Sequence, residues 1–160
     1  MRALIVDDMK YKQEEVIYAL KKLGITDYEI AESIQEALVL LKQNKFDIII
    51  TDLGLPRIKG EDISDSLEGL NILIGLTCRK IFIPTIIYST TNIPSSDLTD
   101  LRYVYEYPFL GQATDIDTLT LLLQIHIDNN KHQKESTEVI NTDSKITRAR
   151  VNKNSITDSN

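Results

Sequence analysis

Short apolar runs alternate along this chain with stretches in which apolar residues recur every three or four positions. Residues 2–6, RALIV, are apolar and end on Asp7 and Asp8, which suits a parallel strand buried on both faces whose carboxyl end opens on a polar site. From Met9 to Leu23 the spacing of Val16, Ala19, Leu20 and Leu23 predicts a first helix, with Gly24 placed to cap its end. Tyr28 to Glu32 reads as a second strand. Ser33 and Glu36 then form a capping box ahead of a helix that runs to about Asn44. Residues 46–51, FDIIIT, form the most strand-like stretch and end on Asp52.

A turn-rich loop, TDLGLPRIKGEDISDS, leads into LEGLNILIGLTC, read as a third helix, and PTIIYS at 84–89 is a fourth strand. Beyond it there is room for a loop and a short helix at Ser95 to Leu101, a strand at Tyr103 to Tyr107, and a last helix from about Asp115 carrying Ile116, Leu119, Leu123 and Ile127 inward. Five strand–helix alternations predict a (βα)5 domain of the α/β class: a doubly wound, five-stranded parallel sheet of order 2-1-3-4-5. Ligands of such sheets bind at the carboxyl ends of the strands, near the switch point between strands one and three.

Residues 130–160 break the pattern, being rich in Asn, Ser, Thr and Lys, and are expected to form a flexible tail to a domain spanning 1–129. Charge divides at the same place, with six Lys/Arg against four Asp/Glu in 130–160 and twelve against twenty in 1–129. An acidic body argues against nucleic-acid binding by the folded part, because phosphate contacts are made mainly by Lys and Arg. No apolar run approaches the roughly 20 residues of a membrane helix, and MRALIVDD lacks a signal-peptide pattern, so a cytoplasmic location with no membrane partner is expected. Cys78 is the single cysteine and the histidines number two, which leaves no zinc cluster; Cys78 itself is expected to be buried or half-buried.

Asp7 and Asp8 end strand one and Asp52 ends strand three, so adjacent strands bring three carboxylates to one mouth. Their repulsion is relieved by a bound divalent cation or by proton uptake. Magnesium suits the set, since it favours oxygen ligands, accepts one or two carboxylates directly and keeps water for the rest. A carboxylate beside such a cation is also a nucleophile toward a phosphoryl group. Asp8 has a second reading as the N-cap of the following helix.

IVDD at 5–8, DIIITDLGLP at 47–56 and PTIIYS at 84–89 make residues 1–128 resemble a response-regulator receiver domain of bacterial two-component signalling, which has a flavodoxin-like fold. The acid pair followed 44 residues after Asp8 by D-L-x-L-P is the specific part of the match. The resemblance implies that Asp52 is the phosphoacceptor, that Mg2+ is held by Asp7, Asp8, Asp52 and the carbonyl of Gly54, and that Ser89 is a switch hydroxyl. Pro56 and Gly60 match the proline and glycine of the loop. The partners implied are a histidine kinase or phosphotransfer protein and a downstream protein target, with a homodimer as a further possibility; no enzymatic turnover beyond self-phosphorylation and self-dephosphorylation is implied.

The match fails in places. The family has a lysine before the proline that follows strand five, and here Y-P-F puts Tyr107 in that position, with a cis Tyr107–Pro108 bond expected. Lys10 could supply a substitute charge, although a lysine facing solvent is its simpler reading. Val104 stands where the family has a switching aromatic, with Tyr103 and Tyr105 pointing the other way; the fourth helix is short, and EDISDSLEG lengthens the loop after Asp52. The expected function is a stand-alone receiver phosphorylated on Asp52, the alternative a pseudo-receiver that binds proteins without phosphorylation. A magnesium-dependent phosphohydrolase ranks behind both, lacking a cap domain and a lysine.

Overall fold

The computed structural model describes residues 1–61, 68–91, 93 and 108–132. Five parallel strands, β1 (Arg2–Val6), β2 (Asp27–Ala31), β3 (Ile48–Thr51), β4 (Thr85–Tyr88) and β5 (Phe109–Ala113), pair in the order β2-β1-β3-β4-β5. Helices α1 (Lys10–Lys22), α2 (Ile34–Gln43) and α3 (Glu68–Cys78) connect them, and a last helix covers residues 116–132. The α/β class and the 2-1-3-4-5 order are those predicted from the sequence.

Ala3–Val6 of β1 and all of β3 and β4 are buried on both faces, which is why these strands read as unbroken apolar runs, whereas β2 at the sheet edge is largely exposed or half-buried. Leu4, Val6, Ile49 and Ile87 share one cluster with Leu53, Leu55, Leu73, Leu76 and Phe109. The alternate positions Ala3, Ile5, Ile48, Ile50 and Ile86 point to the opposite face and are equally buried, as are Val16, Ala19 and Leu20 of α1 and Leu119 and Leu123 of the last helix.

Local chemistry sets the helix ends. Gly24, at φ +77°, follows α1; its N–H donates to Lys21 O and that of Ile25 to Leu20 O, a Schellman motif that buries Ile25. At α2 the Glu36 N–H donates to Ser33 Oγ at 3.2 Å, while the Glu36 carboxylate reaches back to the N–H of Glu32 at 2.8 Å, one residue earlier than in the usual capping box. The Ile34 and Gln35 N–H groups donate to Pro56 O and Arg57 O, so the loop after β3 completes the capping of α2.

Two expectations are corrected. The fifth strand of the sheet is Phe109–Ala113, not Tyr103–Tyr107. Pro108 stands just before it, at the amino end of the sheet, and its carbonyl accepts from the N–H of Thr85, the first residue of β4. A proline is tolerated there because it need donate no ladder bond. The register slips between Thr85↔Phe109 and Ile86↔Gly111, leaving Leu110 as an extra residue. Gly111 takes up the distortion at φ +153°, where a Cβ would also stand 3.2 Å from a methyl of Leu122. Tyr103, Val104, Tyr105 and Tyr107, with the Tyr107–Pro108 bond and the expected helix Ser95 to Leu101, lie outside the described residues. Cys78, expected buried or half-buried, is exposed at the end of α3.

The chain divides into two compact units, Met1–Gln124 and Ile125–Asn160. The first holds the sheet. The second is described to residue 132 and is helical to that point, with Asn130 Nδ2 3.0 Å from His126 Nε2. Among the described residues, no helix is long and apolar enough to cross a membrane.

The left-handed cap at Gly24 gives a direct stability test. Gly24→Ala should cost about 1–2 kcal/mol, because a Cβ is disfavoured at this φ, and Gly24→Asn should cost less. Urea unfolding of the three proteins measures both.

Candidate functional site

Three strand ends build the site. Asp7 follows β1 directly, its N–H donating to Ala31 O of β2, and Asp52 follows β3, its N–H donating to Val6 O of β1. The parallel ladder therefore continues one step past the strands and fixes both backbones. Each of Asp7, Asp8 and Asp52 brings a carboxylate oxygen within 4.8 Å of the other two, at the carboxyl edge where the sequence placed them.

Each acid has different neighbours. Asp7 is 2% exposed and its Oδ1 accepts from the Met9 N–H at 2.8 Å, so Asp7, not Asp8, supports the start of α1. Gln13 donates from Nε2 to Asp7 O at 2.7 Å, a side chain of α1 anchoring the strand end. Asp8 caps nothing: the N-cap position belongs to Met9, and Asp8 Oδ1 is buried without a hydrogen-bond partner. Asp52 is 5% exposed; Oδ1 accepts from the Leu53 N–H at 2.7 Å and Oδ2 from Lys12 Nζ at 2.9 Å.

Lys12 is the charged partner of Asp52 that the sequence reading missed. Its side chain is largely buried with that of Asp52. Burial alone would lower its pKa, but the hydrogen bond and charge of Asp52, with the charge of Asp7, outweigh that effect and hold the ammonium above its ordinary value. The signal was present: Val16 and Leu20 are buried in α1, and stepping back four residues from Val16 lands on Lys12. Lys10, the substitute considered from sequence, is exposed.

Ser89 directly follows β4, is 3% exposed, and accepts from the Thr91 N–H through Oγ at 3.3 Å. Next to it Tyr88 donates its hydroxyl to Glu15 of α1 at 2.6 Å. Burial and this acceptor push the phenol pKa up, so it remains a donor. A cavity of about 350 Å3 opens beside these residues, lined by Lys12, Glu15, Tyr88, Ser89, Thr90 and Thr114 among others. Gly54 is half-buried two residues past Asp52, and Gly60, at φ +88°, closes a loop whose Lys59 pairs with Glu32 at 2.6 Å. The carboxyl end of β5 carries Ala113 and Thr114; Tyr107, expected at this point, lies outside the described residues.

The donor set fits a hard divalent cation: oxygen ligands alone, clustered carboxylates, and on Asp8 a buried oxygen that nothing in the protein satisfies. Charge crowding has a second consequence. The Asp7 pKa is raised to about 7, first by burial, then by Asp52 and Asp8 against the opposing pull of the Met9 N–H and Lys12.

A folded-state pKa above the unfolded value means that the native protein holds this proton longer. In a chelator, stability should therefore be greatest, as far as Asp7 is concerned, below about pH 4 and should fall as pH rises to about 7, levelling off above. Asp7→Asn should remove that fall, so the difference in urea midpoint between variant and wild type should grow across this window and flatten beyond it.

The family model described as response regulator receiver domain matches residues 3–90, more than half of the chain. The chain is 35% identical over 68 residues to chemotaxis protein CheY-3 of Vibrio cholerae, covering 42% of this chain and 52% of that protein. It is 38% identical over 69 residues to sensory transduction protein LytR of Staphylococcus epidermidis, covering 42% and 27%. It thus spans about half the length of the first relative and about a quarter of the second. Among solved structures, a Francisella response regulator 1452 receiver domain superposes with a TM-score of 0.61 at 25% identity, over 81% of this chain and 98% of that one. Chemotaxis response regulator CheY4 of Vibrio cholerae gives 0.57 at 22% identity, over 77% and 95%, a likeness of fold. The matched residues contain all three carboxylates, the capped loop after β3 and Ser89, and the chain belongs to the response regulator receiver domain family of two-component systems.

Proposed function

We propose that this chain is a phospho-accepting receiver, modified on Asp52 by a phosphohistidine of a histidine kinase or phosphotransfer protein and signalling through protein contacts. The observation that carries this reading is the Asp52 carboxylate, buried between two other acids and oriented at both oxygens by Leu53 N–H and Lys12. In the transfer, one Asp52 oxygen would attack phosphorus and form an O–P bond while the P–N bond of the donor breaks. The imidazole leaves with the electron pair.

Asp7, Asp8 and Asp52, with the carbonyl of Gly54, would hold Mg2+, which when bound supplies charge neutralisation for the acids and the phosphoryl oxygens. The Leu53 N–H keeps one carboxylate oxygen fixed while the other reacts, a positioning effect in a reaction governed largely by positioning and electrostatics. Ser89, buried at the neighbouring strand end, would turn its hydroxyl to a phosphoryl oxygen, and the loop at 89–91 would follow. A downstream protein, or a second copy of the chain, would read that change as a shift between two pre-existing states.

Incubation with magnesium and a small phosphodonor such as phosphoramidate, followed by intact mass, tests the reading. Wild type should gain one base-labile phosphoryl group and Asp52→Asn none. If wild type takes up none from small donors or from histidine kinases, the chain is a phosphorylation-independent binding module instead.

A further inference from the structure

The described end of β5 offers Thr114 and Asp115 at the site edge, neither of them a cation. Asp115 is engaged elsewhere: Oδ1 accepts from the Thr118 N–H and Oδ2 from the Thr118 hydroxyl, so it caps the last helix. The positive charge at Asp52 comes from across the sheet edge, from the first turn of α1. Lys12, bonded to Asp52, borders the same cavity as Ser89 and Thr114, so the cavity adjoins this ion pair although Asp52 itself does not line it.

We infer that Lys12 is the phosphoryl-binding cation of this receiver, moving from Asp52 Oδ2 to a phosphoryl oxygen in the adjoining cavity and thereby making α1 the helix that senses phosphorylation. This rests on the reading of Asp52 as phosphoacceptor. Formation of the acyl phosphate removes the carboxylate charge that holds Lys12 and places about two negative charges a few ångströms farther out. A compact ammonium with three donors on a four-carbon stem follows that displacement without moving the backbone. In the step itself the Asp52 oxygen forms the O–P bond and the donor's P–N bond breaks; Lys12 changes partner, keeps its proton and stabilises charge on the transferring group.

The helix that carries Lys12 is tied to the site at two more points. Gln13 holds the Asp7 carbonyl, and Glu15 accepts from Tyr88, the neighbour of Ser89. A change of partner at Lys12 therefore acts on an element already fastened to the ends of β1 and β4.

Phosphorylation rates with phosphoramidate and magnesium should separate charge from packing. Lys12→Met and Lys12→Gln should each slow uptake by roughly 100-fold, the scale of losing one transition-state donor. Lys12→Gln retains a polar donor on a stem one bond shorter, and so serves if the methionine variant does not fold. Adding Thr114→Lys to either variant should return roughly ten-fold or more, because residue 114 borders the same cavity from the end of β5. Uptake at the wild-type rate in the folded Lys12 variants overturns the inference, as does a loss that Thr114→Lys leaves unrelieved. Failure of wild type to take up phosphate from any donor overturns the Asp52 reading and this inference with it.

Discussion

Three carboxylates gathered at one edge of a parallel sheet set the problem that the rest of this site answers. The ladder fixes the backbones of Asp7 and Asp52, since each N–H is bonded to the neighbouring strand, so repulsion cannot be relieved by moving the acids apart. The relief comes instead in three forms: the Leu53 N–H on one Asp52 oxygen, the Lys12 ammonium on the other, and a raised proton affinity at Asp7. Asp8 keeps one buried oxygen unsatisfied, which leaves the cluster short of positive charge. A site built this way responds to added charge, whether a cation or a phosphoryl group, because its native balance is incomplete.

Lys12 also changes what α1 is for. Its buried stripe of Val16, Ala19 and Leu20 makes it an ordinary cover for the sheet, but the first two turns carry Lys12, Gln13 and Glu15 to three separate points of the strand edge. A similar tie exists at α2, whose first N–H groups are capped by the carbonyls of Pro56 and Arg57 in the loop after Asp52. Two helices are thus hydrogen-bonded to the loops that surround the acids. These ties are polar contacts at helix starts, while the apolar core beneath is close-packed and resists deformation.

The central sheet was legible because each element obeyed one dominant rule. RALIV and IIIT are buried on both faces, so an apolar run suffices to identify them; Ser33 with Glu36 and Gly24 mark helix ends through capping chemistry that acts locally. Asp7, Asp8 and Asp52 followed from strand ends alone. Lys12 was not legible by the same rule, because a lysine in the first turn of a surface helix is normally solvent-facing, and its burial depends on a partner 40 residues away. Cys78 failed for the opposite reason: its apolar character outweighed its position at the last residue of α3, where the helix runs out into an exposed turn.

The misplaced fifth strand shows how one local signal can redirect a functional argument. Residues 103–107, YVYEY, have high β propensity and precede a proline, so they read as a strand with a stop, whereas FLGQA contains a glycine that argues against a strand. In the structure the proline opens the strand instead, and Gly111 is there because the bulge at Leu110 needs its φ and Leu122 needs its missing Cβ. Moving the strand by six residues moves the question of the missing lysine with it. The position at the site edge passes to Thr114, a short neutral side chain beside a cavity, and the space it leaves is bordered by Lys12 from the opposite side. Among the described residues the cation at Asp52 thus comes from α1 and not from β5, so the charge that balances this carboxylate belongs to a helix and not to the sheet.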